Sequence, residues 1–153
     1  MKIFCRRAIV LFLLLSLIPF SVFATPAPTD RNSITYFEDG SYLVVELITI
    51  DTRSDSTKTS TKNYTYYGSD NTVQWRGALS ATFTYNGTSA ACTVSVCTVS
   101  ITNGSWYTIS KSSSKSGNTA YGYLTMGRKY AGVTVEEKSV TMKLSCSPTG
   151  VIS

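Results

Sequence analysis

From Val73 to Tyr85 the chain alternates without a break: Val73, Trp75, Gly77, Leu79, Ala81, Phe83 and Tyr85 take one side, and Gln74, Arg76, Ala78, Ser80, Thr82 and Thr84 the other. A helix repeats its faces about every 3.6 residues, so a period of two held this long forces a strand with one dry and one wet face. The alternation returns in Tyr42 to Ile50 and in Val140 to Cys146. No segment after residue 24 carries a helical period. The same stretch holds 20 Ser and 22 Thr, and β-branched threonine suits a pleated, half-buried surface. The expected class is all-β: an antiparallel β-sandwich, immunoglobulin-like or jelly-roll-like, of about eight strands.

Turn chemistry sets the expected registers. Asp39-Gly40 and Asn86-Gly87 favour type I′ hairpins, because both central residues need positive φ. Centred there, the first hairpin pairs Tyr36 with Leu43 and Ile34 with Val45, so Leu43, Val45 and Leu47 share the core face. The second pairs Phe83 with Ala90, Ala81 with Cys92 and Leu79 with Val94. Val94 and Val96 then fall out of phase with Val99 and Ile101, which predicts a β-bulge near Cys97-Thr98. Residues 51–62 have no apolar side chain and read as an exposed loop before a short strand at 63–67. Strands are expected at 106–110 and 119–126, joined by a polar loop at 111–118, with Tyr107 and Ile109 turned inward. Val133 and Val135 form a further strand, and residues 136–139 a turn or bulge before the last one.

The N-terminus reads as an export signal. Lys2, Arg6 and Arg7 precede an apolar run from Ala8 to Ile18, and Val22-Phe23-Ala24 places small residues where a signal peptidase cuts. The apolar run is shorter than the roughly 20 residues that span a bilayer. The expected organisation is a signal peptide at 1–24, a disordered segment at 25–32 and one sandwich domain at 33–153, secreted and without membrane attachment after cleavage. The whole chain has 14 Lys or Arg against 9 Asp or Glu, a net charge of +5. Three of those cations belong to the signal, so the remainder lacks the basic footprint that nucleic acid requires.

The chain contains no histidine. That removes Ser-His-Asp and Cys-His catalysis and imidazole metal sites, and no cofactor or metal site is expected. Asp51 and Asp55 lack the glycine and terminal glutamate of a known calcium loop. Glu38, Asp39, Glu46, Asp70, Glu136 and Glu137 have ordinary turn or solvent positions, and nothing pairs two of them across a cleft as glycoside hydrolysis demands. No catalytic residue is assigned, and the chain is not expected to be an enzyme. Export leaves Cys92, Cys97 and Cys146 in an oxidising compartment. Their three pairings are open in principle; strand phase turns Cys92 and Cys146 inward and favours that bridge, leaving Cys97 as an unpaired or intermolecular thiol.

One face has the chemistry of a ligand surface. If the strands at 106–110 and 119–126 pair, Trp106, Tyr121 and Tyr123 share an outward face, and rings on a threonine-rich sheet suit the apolar faces of sugars. The segments Ile34 to Tyr42, Ala81 to Gly87 and Leu144 to Ser147 together resemble a group of small secreted β-rich proteins of Gram-positive, often gut-dwelling, bacteria. That resemblance implies a bacterial extracellular protein and transfers no site residue. The expected role is binding or interaction with an extracellular ligand, a glycan or a protein. The alternatives are a carbohydrate-binding module using the aromatic face and a self-assembling surface protein linked through a thiol or a strand edge.

Overall fold

The structure, a computed structural model, describes residues 32–50 and 56–153. The expected signal peptide, all of the 25–32 segment except Asn32, and the Asp51 and Asp55 carboxylates lie outside the described residues. The described residues form eight strands: β1 Ser33–Tyr36, β2 Tyr42–Ile50, β3 Thr57–Tyr67, β4 Val73–Tyr85, β5 Ala90–Ile101, β6 Trp106–Ser116, β7 Thr119–Tyr130 and β8 Val133–Ser145. Strands consecutive in sequence pair antiparallel, except β5 with β6, giving a five-stranded sheet β1-β2-β3-β4-β5 and a three-stranded sheet β6-β7-β8. The all-β antiparallel sandwich stands. Within that class the connections are those of a meander, because the chain changes sheets once, between β5 and β6. None of the Greek-key crossings of immunoglobulin or jelly-roll folds links the described strands.

The core is the dry side of β4 set against β7 and β8. Trp75, Leu79 and Phe83 meet Leu124, Met126, Met142 and Leu144, all at most 1% exposed. Two glycines let the sheets approach: a Cβ on Gly77 would lie 2.8 Å from Leu124 Cδ2, and one on Gly122 would lie 3.3 Å from Leu79 Cδ1. Each sheet thus supplies a gap for the other's leucine, and the interdigitation gives the core its density.

Several registers differ from expectation. The first hairpin slips by one, pairing Tyr36 with Tyr42 and Ile34 with Val44, because Phe37 to Ser41 closes a longer loop in which the Phe37 amide donates to the Ser41 carbonyl at 2.9 Å. Leu43 and Val45 are still buried and Leu47 packs on the core. The Asn86-Gly87 hairpin also has a longer loop, with Tyr85 opposite Ala90, since Asn86 Oδ1 accepts from the amides of both Thr88 and Ser89. Phe83 therefore pairs with Cys92 and Leu79 with Cys97, and the bulge falls at Thr93, ahead of the expected Cys97-Thr98. That single extra residue turns both Cys92 and Cys97 inward and Val94 and Val96 out.

The polar stretch from Thr57 to Lys62 is strand, not loop. It lies between two strands, and its hydroxyls pair across them: Thr59 with Thr82 at 3.0 Å, Thr61 with Ser80 at 2.7 Å and buried Ser60 with Thr49 at 3.1 Å. Hydroxyl ladders replace apolar alternation as the source of register. Likewise the serine-rich 111–116 extends β6 up to a tight turn at Gly117-Asn118. A shift between Thr108 and Ser110 leaves Ile109 exposed instead of buried. Val133 and the final segment form one strand, β8, with the register shift opposite Arg128 and Lys129.

Candidate functional site

The expected aromatic face does not assemble. Trp106 pairs opposite Arg128 and is 4% exposed, with its ring in the core. Tyr121 and Tyr123 sit farther along β7, opposite Ser114 and Ser112, half-buried and exposed respectively. The bulge at Ile109 explains the error: it separates the phase of Trp106 from that of the serine-rich half of β6, so residues placed on one face lie on two. An aromatic row does exist elsewhere. Tyr36, Tyr42 and Tyr67 are direct cross-strand partners on the outer face of the five-stranded sheet. Their centroids are 5.6 Å apart for Tyr36–Tyr42 and 4.7 Å for the nearly parallel Tyr42–Tyr67 pair. Stacked at the inter-strand spacing, these rings cover one another's faces and offer a sugar mainly their edges.

Where the β1–β2, β3–β4 and β5–β6 connections meet the β7–β8 hairpin, the two sheets open into a cleft of about 300 Å³. Tyr66 and Trp106 form its aromatic floor, and Asp39, Asp70, Gln74, Asn103, Arg128 and Glu136 contribute to its walls. The floor continues into the core: Tyr66 stacks on Trp75 at 5.1 Å and meets Trp106 edge-on at 5.3 Å.

Each polar group is held by a local device. Asp39 closes the β1–β2 turn by accepting from the Ser41 amide and hydroxyl, and those bonds, aided by Lys138, lower its titration below the usual carboxylate range. Asp70 does the same for Thr72, with the same downward direction and the same cause. Gln74 belongs to the side of β4 expected to be wet, yet it is buried. Its Oε1 accepts from Asn103 Nδ2 at 2.7 Å and Trp106 Nε1 at 3.2 Å, while its Nε2 donates to Thr72 Oγ1 at 2.7 Å.

The opposite wall is a charged cluster. Glu136 bonds Arg128 at 2.9 Å and Lys138 at 3.3 Å, and Lys138 reaches across to Asp39 at 3.4 Å. The Tyr66 hydroxyl donates to Ser41 Oγ at 2.8 Å and lies 3.2 Å from Glu136 Oε1. Burial pushes the Tyr66 phenol up. Burial alone would lower Lys138, but Tyr66, Glu136 and Asp39 outweigh it and raise the ammonium. Three of the acids singled out in the sequence, Asp39, Asp70 and Glu136, therefore share one cleft, while Glu46 lines a separate groove of about 390 Å³ on the five-stranded sheet. Sequence reasoning missed Gln74, Asn103 and Arg128, for which no local pattern carries a usable signal. Among the described residues no three Cys, Asp or Glu converge as a metal-ligating group.

The cysteines lie elsewhere. Cys92, Cys97 and Cys146 are free and buried, so the expected Cys92–Cys146 bridge is absent from the structure. Both cysteines do face inward at one end of the sandwich, where their amides donate to Gly117 and Asn118 respectively. Their sulfurs, however, turn toward carbonyls of their own segments, Val94 at 3.2 Å and Ser147 at 3.4 Å. Cys97 is unpaired and buried as well, 7% exposed. Burial raises all three thiols, leaving them protonated and poorly nucleophilic near neutral pH.

Comparison with protein-family models, curated proteins and solved structures finds no match for this chain. Among the described residues no helix is long and apolar enough to cross a membrane.

Proposed function

We propose that the protein is a secreted binding module whose ligand site is the cleft between Asp39, Asp70 and Arg128, and whose ligand is a polyhydroxylated group such as the end of a glycan. The observation that carries this reading is the convergence of carboxylate acceptors and a half-exposed guanidinium donor around one cleft. Adjacent sugar hydroxyls call for paired donors and acceptors of this kind, while Tyr66 and Trp106, buried beneath them, fix the shape of the cleft. The volume suits a small ligand, at the lower end of the roughly 300–1,000 Å³ of such sites. Export, suggested by the N-terminal pattern and by the resemblance to secreted β-rich bacterial proteins, puts the cleft where glycans are abundant.

Binding is favoured over hydrolysis by the partners of the acids. A glycosidase needs one carboxyl held protonated, whereas Asp39 and Asp70 are engaged as acceptors within their own turns and Glu136 is ion-paired with Arg128 and Lys138. The test is retention on a glycan array of the intact protein and of Asp70→Asn and Arg128→Lys, with Tyr123→Ala as a surface control. The expected result is a loss of about tenfold or more in affinity for each cleft variant, equivalent to about 1.4 kcal/mol, with the control unchanged. Equal retention of all four proteins, or retention of none, overturns the reading.

A further inference from the structure

We infer that β1 is a self-pairing edge, at which a second copy of this chain adds its own β1 antiparallel and joins the two five-stranded sheets into one. An unpaired strand edge is a template for another strand, and proteins that stay apart protect such edges with shortness, charge, proline, bulges or cover. The other edges here are protected. β5 is covered by β6, where Ser113 donates to the Ser95 carbonyl at 3.0 Å and Lys115 donates to that of Thr93; β6 carries Lys111 and Lys115, and β8 carries Glu137 and Lys143. β1, Ser-Ile-Thr-Tyr, has shortness as its one protection: it carries no charge, no proline and no bulge, and every residue of it is exposed.

The backbone phase of β1 fits the partner. The Phe37 amide bonds the Ser41 carbonyl, and hydrogen-bonded pairs alternate along an antiparallel ladder. Thr35 and Ser33 therefore face β2, and the amides and carbonyls of Ile34 and Tyr36 face the free edge. A two-fold axis at Thr35 sets Ile34 of each copy opposite Tyr36 of the other, as hydrogen-bonded pairs. Their side chains share the outer face, where Ile34 is 52% and Tyr36 72% exposed, so the joint makes two aromatic–aliphatic pairs and extends the Tyr67–Tyr42–Tyr36 stack across it. No charge is buried, and a C2 contact of this kind closes on itself instead of propagating. This surface is separate from the glycan reading of the cleft.

The experiment is sedimentation equilibrium of the protein recovered from its producing cells, from low micromolar to millimolar concentration. Ile34→Pro removes an outward amide without touching a bond to β2, Tyr36→Lys places a charge at the joint, and Tyr130→Lys alters an equally exposed tyrosine away from it. The expected result is a monomer–dimer equilibrium weakened at least about tenfold by either β1 variant, each backbone hydrogen bond being modest but lost twice by symmetry, and unchanged by Tyr130→Lys. Circular dichroism of each variant identifies any that fails to fold, and the other β1 variant then decides. A monomer throughout the concentration range, including one in which residues before Asn32 occupy the edge, overturns the proposal, as does a dimer indifferent to both β1 variants.

Discussion

At the cleft end, the contacts that cross between sheets are rings and charges: Trp106 on Tyr66, Glu136 beside the Tyr66 hydroxyl, and Lys138 against Asp39 and 4.3 Å from the centre of the Phe37 ring. At the opposite end, every acceptor of these crossings is a backbone carbonyl, met by amides and by an ammonium. The Cys92 amide donates across to the Gly117 carbonyl, Gly87 donates to Pro148 at 2.9 Å, and Lys58 Nζ donates to the Gly150 carbonyl at 3.0 Å, while Cys146 holds Asn118 from within the three-stranded sheet. Gly150 itself has φ +81° and packs beneath the Tyr85 ring, whose atoms would lie 2.6 Å from an added Cβ. One end is thus specified by side-chain identity and the other by chain geometry. The charged and amide side chains of the first line an open cleft, and the proposed ligand site falls there.

The largest break in this comparison is a side-chain truncation made once at each end. Trp106→Ala removes a buried ring that contacts both Tyr66 and Trp75 and should cost about 3–5 kcal/mol. Cys146→Ala, equally buried, deletes one sulfur and leaves the backbone bridge to Asn118 in place, for a cost of about 1 kcal/mol. Urea unfolding of the two variants measures the contrast, and equal midpoints would show that the far end depends on its thiol after all.

A sharper probe is the buried amide at the cleft end. Gln74→Leu leaves Trp106 Nε1 and Asn103 Nδ2 without their acceptor, at about 1–3 kcal/mol. Trp75 Nε1 already lacks a partner in the core, so the fold carries one orphaned indole and spends Gln74 to avoid a second. The double variant Gln74→Leu/Trp106→Phe should recover part of the loss, because the orphaned donor is gone; strictly additive costs in the thermodynamic cycle would refute the coupling.

These two ends also differ in how legible they are. The dry face of β4 was written plainly in the sequence, and with it the sandwich, the inward turn of Cys92 and Cys146, and the burial of Leu43 and Val45. The long polar strands were not, since β3 and the outer half of β6 are fixed by hydroxyl ladders and by their neighbours, which no apolar period announces. The cleft was harder still. Asp39, Asp70 and Glu136 are far apart in sequence, and only the sheet-to-sheet stacking unites them; Gln74 looks like a wet-face residue until the β5–β6 loop folds over it. The bulges at Thr93 and Ile109 did the most damage, because one inserted residue reverses every later side chain. The second of them turned Trp106 from an apparent surface ring into the floor of the site.

The smallest effect lies in pH, and it separates the charges of the cleft by sign. Asp39 titrates below its unfolded value, so its contribution is complete at neutral pH and is lost as acid takes the solution down through its folded pKa, below about pH 4. Tyr66 and Lys138 titrate above their unfolded values, so the folded state holds those protons more tightly. Their contribution is complete below the unfolded pKa and disappears as pH rises beyond about 10. Asp39 is half-exposed, and solvent screening keeps its share small. Asp39→Asn should therefore change the neutral midpoint little while flattening the acid limb of a urea-midpoint-versus-pH curve, and Tyr66→Phe should flatten the alkaline limb alone. An acid limb that keeps its full slope in Asp39→Asn would move the acid sensitivity to other carboxylates, and would leave the Ser41 bonds as turn geometry without an electrostatic share in joining the sheets.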